Sequence, residues 1–156
     1  MANQFQLNHN LFEAAMYDDL AKIKLILTST ESEIKPDIHF YNDGALTLAC
    51  SNGNLEMVKY LLSSPELTEH ACLNADYYQP FKAACIEEHF HILEYLIFEY
   101  NMKMDDTIEN YLDKSTLNVG MTVKSMFKKR DAAKRLNDEL SSELITIENN
   151  KKSLKI

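Results

Sequence analysis

The side chains best suited to holding a metal are Cys85, His89 and His91, spaced by four and two residues so that a thiolate and two imidazoles could share one turn. Cys85, however, falls in a column of small apolar residues set out below, and His91 aligns with the polar Glu56. No ligation is expected there. His9, His39 and His70 stand apart, without a Cys or His at ligand spacing, and suit loops or helix ends. The acid pairs Glu87-Glu88 and Asp105-Asp106 are adjacent, which splays their carboxylates apart on a helix, so solvated surface is expected of them. Only Gly44, Gly53 and Gly120 are available to a phosphate-cradling loop, too few and too scattered for one. A G-x-S-x-G nucleophile turn is missing as well. The expectation is no catalytic residue, no metal and no cofactor, and thus not an enzyme.

A second group of residues could act through charge. Lys124, Lys128, Lys129, Arg130, Lys134 and Arg135 concentrate positive charge over about three helical turns. Such a patch can be solvated or paired within the chain, can sit on nucleic-acid phosphates, or can meet an acidic protein. The rest of the chain opposes the nucleic-acid reading. Residues 1–120 hold seven Lys/Arg against 19 Asp/Glu, a net of −12, while residues 121–156 hold nine against five, a net of +4. Nucleic acid is therefore the less expected partner, and a protein the more expected one.

The elements that position these residues belong to a helix-rich globular chain. It has 156 residues, 46% of them hydrophobic and 26% charged, with only three glycines and three prolines. Three cysteines with no C-x-x-C pair suit neither a disulfide framework nor a zinc site, and point to a reducing compartment. Residues 1–9 lack the basic flank and apolar run of a leader. The apolar stretches fall short of the roughly 20 residues a bilayer demands, so a cytoplasmic location and no membrane association are expected.

The sequence repeats. Segments 11–27, 46–62 and 81–97 superimpose without gaps at an offset of 35. Down the columns run Leu11, Leu46, Phe81; Ala14, Ala49, Ala84; Ala15, Cys50, Cys85; Leu20, Leu55, Phe90; Ile23, Val58, Leu93; and Ile26, Leu61, Leu96. Small residues come first, where a helix packs closely on its neighbours. Bulky aliphatics follow at spacings of three and four, the apolar face of a second helix. The polar groups Asp18-Asp19, Asn52-Gly53-Asn54 and Glu87-Glu88-His89 between them suit a tight turn. Pro36, Pro65 and Pro80, with Asn42-Asp43-Gly44 and Asn74-Ala75-Asp76, predict extended loops with turns at their tips between units.

The middle unit, DGALTLACSNGNLEMVKYLL over residues 43–62, resembles the ankyrin pattern T-P-L-H-x-A-A, a Gly turn, then V-x-x-L-L. Pro80 keeps the proline in the third unit; Phe12, Thr47 and Lys82 stand where the pattern carries the His that bonds the loop, so those bonds must come from elsewhere. The units are similar to the small ankyrin proteins of bacteria, phages and large viruses. The resemblance implies an all-α ankyrin-repeat solenoid over residues 1–104, with units near 8–29, 43–64 and 78–99. It further implies a concave partner-binding face at Met16 and Tyr17; Phe40, Tyr41, Asp43, Ser51 and Asn52; and Asp76, Tyr77, Tyr78, Ile86 and Glu87. About half of the tyrosine-rich set is expected to be exposed. The implied role is an inhibitor or adaptor that grips a cellular or host protein; the alternatives are an acidic nucleic-acid mimic and a nucleic-acid binder through the basic helix.

After Tyr100 the repeat columns fail. Residues 107–114, with Asp105-Asp106 as cap candidates, predict a short helix from a degenerate fourth repeat. Asn118-Val119-Gly120 predicts a turn before a long amphipathic helix from Met121 to about Asn149, with a frayed tail over 149–156. That helix is read as a cap on the stack, with homodimerisation through its heptad-like spacing or a detached partner-binding arm as alternatives.

Overall fold

The computed structural model describes residues 3–29 and 34–153, with side chains described through Ile147. Its regular structure is helical, with no strand among the described residues. The elements in order are α1 (Gln4–Met16), α2 (Leu20–Thr28), α3 (Phe40–Asn52), α4 (Leu55–Ser63), α5 (Ala75–Ile86), α6 (Phe90–Glu94) with a π-helical turn at Tyr95–Glu99, α7 (Asp106–Lys114) and α8 (Leu117–Ser153). They divide into two compact units, Met1–Leu96 and Ile97–Ile156. No helix of the described residues is long and apolar enough to cross a membrane.

In the first unit the three repeats stack. The first helices α1, α3 and α5 pack side by side, which the small columns permit: Ala14, Ala15, Ala49, Cys50, Ala84 and Cys85 are all buried, and a larger side chain at any of them would push the helices apart. The second helices bury Ile23, Val58 and Leu93, one per repeat and fully enclosed. A cation–π ladder runs beside them: the Lys24 ammonium lies 5.2 Å from the Tyr60 ring centre and Lys59 5.2 Å from that of Tyr95, the same contact one repeat on.

Each helix-to-helix turn follows one scheme. Asp18, Gly53 and Glu88, one column of the repeat, all take positive φ (60°, 78° and 55°). In the next column Asp19 accepts from the backbone N–H of Lys22 at 2.9 Å and Asn54 from that of Met57 at 2.8 Å, capping α2 and α4. His89, third in that column, makes no side-chain cap.

The turns between units lie one residue before and two residues after the places where composition puts them. Left-handed geometry falls on Tyr41, Asn42 and Asp43 and, 35 residues on, Asp76, Tyr77 and Tyr78, a full left-handed turn built without glycine. Gly44 instead opens the right-handed part of α3, and Pro80 sits just past its own turn, where a missing N–H costs little. α1 carries no such left-handed stretch, consistent with the missing turn motif ahead of the first unit.

In the second unit, Asp105 accepts from the N–H of Ile108 at 3.0 Å and starts α7, which packs on α8. The turn expected at 118–120 lies within α8 instead. A Cβ on Gly120 would come within 2.5 Å of the Leu112 carbonyl, so glycine here serves close helix packing and not a reversal of the chain. Val119, Val123, Met126 and Phe127 are buried, but from Asp131 to Ile147 every residue of α8 is exposed. The backbone is helical through Ser153; the end of the expected tail, 154–156, lies outside the described residues.

Candidate partner-binding face

The loops between repeats are locked by one buried polar column. Asn8 Oδ1 accepts from Gln4 Nε2 and from the Asp37 backbone N–H, both at 2.8 Å. One repeat later Asp43 Oδ1 accepts from His39 Nδ1 at 2.8 Å and from the Cys72 N–H at 2.9 Å. All three positions shift by 35. These are the loop bonds that the absent motif histidine left open, and they fix His39 as donor through Nδ1–H. Asp43, expected on the binding face, is buried and commits its carboxylate to this lock. His39, Asp43 and Cys72 do bring three ligand-type atoms within 4.8 Å of one another. Asn8 performs the same task with an amide, which marks the arrangement as loop architecture.

The histidines of the third repeat have structural roles too. His89 Nε2 donates to the Ser51 carbonyl and His91 Nε2 to the Gly53 carbonyl, each at 2.9 Å. Asn52 Nδ2 and Asn54 Nδ2 reach back in the same way to the Ala15 carbonyl at 3.2 Å and to Asp18 Oδ1 at 2.8 Å. The turns are thus zipped from repeat to repeat. Cys85 lies buried apart from this edge, and burial pushes its thiol, like that of Cys50, up to about 12.

The remaining face residues divide by place. Met16, Tyr17, Ser51, Asn52, Ile86 and Glu87 occupy the last turns and C-terminal ends of α1, α3 and α5; Tyr17 is 72% exposed, Met16 and Ile86 are also exposed, and Ser51 is half-buried. Phe40, Tyr41, Asp76, Tyr77 and Tyr78 sit at the opposite ends, around the left-handed turns. Tyr41 (60%) and Tyr77 (75%) are exposed there, whereas Phe40 and Tyr78 are half-buried.

What joins the two ends in the first repeats is a stripe the repeat columns do not reveal. Phe5, His9, Phe12 and Met16 follow at i, i+4, i+7 and i+11, one face of α1. Phe5 stacks on His9 with centroids 6.1 Å apart and meets Phe40 edge-on at 6.2 Å. Phe12 meets Tyr41 edge-on at 5.2 Å, and Phe40 and Tyr41 lie 4.1 Å apart. The period of 3.6 at residues 5–16 was the available signal for Phe5, His9 and Phe12. The result is a continuous, largely exposed aromatic surface across the first two repeats.

The basic run is divided as well. Lys124 pairs with Asp113, while Arg130 donates to the Met102 carbonyl and pairs with Asp131, so these two are held within the second unit. Lys128, Lys129, Lys134 and Arg135 are exposed.

A family model for ankyrin repeats in three copies matches residues 11–108. The chain belongs to the ankyrin-repeat family. No curated protein and no solved structure matches it significantly. Ankyrin repeats are in general protein-interaction modules, and in this ankyrin protein Cys85 is buried in the stack while His89 and His91 bond the turn of the preceding repeat.

Proposed function

We propose that this ankyrin protein binds another protein through the aromatic face of its first two repeats, extended by Tyr77 and Ile86 of the third, and acts as an inhibitor or adaptor. The observation that carries the reading is the stripe of exposed Phe5, His9 and Met16 around half-buried Phe12, with half-buried Phe40 and exposed Tyr41 and Tyr17 beside it. Large rings are costly to leave in water and serve as anchors when a partner covers them. The net charge of −12 over residues 1–120 adds a preference for a partner with a basic rim. Two buried free thiols, Cys50 and Cys85, suit a reducing compartment such as the cytoplasm.

The test is photo-crosslinking from a benzophenone amino acid at Tyr41, followed by affinity measurement on the captured partner. Tyr41→Ala and Phe5→Ser should each weaken binding by about 2 kcal/mol with the fold intact. Binding indifferent to both substitutions but abolished by salt would move the site to the charged surfaces, the behaviour of a nucleic-acid mimic or of the basic helix.

A further inference from the structure

From Asp131 to Ile147, α8 buries none of its side chains. An isolated helix in water is marginal, and most helices in proteins persist because one face is buried. From Asp131 to Ile147 every residue is exposed, yet Leu136, Leu140, Leu144 and Ile147 fall within an arc of about 80° at 100° per residue. Spacings of four, four and three are those of a seam between two helices. Exposures of 49% to 62% leave all four in solvent.

Charge indicates what covers the seam. The exposed basic residues Lys128, Lys129, Lys134 and Arg135 precede it or lie at its start, and Asp138, Glu139 and Glu143 lie farther along. A copy of the same helix running parallel would set base against base and acid against acid. Running antiparallel, it sets the basic half of each helix against the acidic half of the other. With the crossing near Asp138, Leu136 of each copy meets Leu140 of the other.

We propose that α8 pairs antiparallel with α8 of a second copy of this chain, with the leucine seam as its core and the basic and acidic halves fixing its direction. This surface is separate from the aromatic face, and a two-copy assembly presents two such faces at once.

Sedimentation velocity of the full chain over a dilution series tests it. The intact chain should shift from monomer to dimer as concentration rises, and Leu136→Glu with Leu140→Glu should remain monomeric with its repeat-unit unfolding unchanged. Lys134→Glu with Arg135→Glu, and separately Glu139→Lys with Glu143→Lys, should each weaken the dimer at least tenfold, about 1.4 kcal/mol, and the four changes together should restore it. A chain monomeric at every concentration overturns the proposal, as does a dimer that survives the leucine changes. Charge variants without effect overturn the antiparallel direction, since a parallel pair has the same like-charge contacts before and after each reversal.

Discussion

Asp43 serves two donors with one carboxylate oxygen, and removing it strands the backbone N–H of Cys72. Asp43→Ala should cost about 2 kcal/mol in urea unfolding. Asp43→Asn, which copies the working group of Asn8, should cost under about 1 kcal/mol. The cysteines give a second residue-scale expectation. Cys50 and Cys85 keep their thiol protons in the folded protein up to about pH 12, against an ordinary thiol value of 9.0. The unfolded chain gives up these protons first as pH rises. Their stabilising contribution is therefore intact below pH 9 and lost as pH climbs towards 12. Unfolding free energy should fall steeply over that window, and less steeply in a Cys50→Ala, Cys85→Ala variant. In the native protein a thiol reagent should reach Cys72, which is exposed, and spare the other two until unfolding.

At the scale of elements, the shared left-handed position makes opposite predictions for its members. Glu88 holds φ 55° with a side chain that disfavours it, so Glu88→Gly should stabilise by about 1 kcal/mol. Gly53→Ala has the reverse effect twice over. It strains φ 78°, and its Cβ would come within 2.8 Å of the His89 ring, disturbing the bond from His89 to Ser51. A loss of at least ~2 kcal/mol is expected in thermal or urea unfolding. The helices and their buried columns were legible in the sequence because packing a small residue between stacked helices repeats every 35 positions. The left-handed turns were not. Composition marks Asn42-Asp43-Gly44, but a bond from a loop 29 residues away holds Asp43, and the left-handed stretch starts at Tyr41, a residue that does not favour it.

For the whole molecule, the repeat unit and the exposed end of α8 should behave independently. Deleting the chain from Ala132 onward removes no described buried residue, so the unfolding midpoint should move by less than about 0.5 kcal/mol equivalent while concentration-dependent self-association disappears. The sequence by itself determined the ankyrin stack, its columns and its helix-to-helix turns, because burial of apolar faces at a fixed period is written in residue types. Tertiary structure alone decided which polar residues remain free. Asp43 and Tyr77 read alike as face residues; one carboxylate is drawn inward by a neighbouring loop's N–H, and the other ring, with no such donor to satisfy, stays in solvent. Phe5, His9 and Phe12 became a surface for the same reason: only the packing of Phe40 and Tyr41 against α1 joins a helical stripe to the turn of the next repeat.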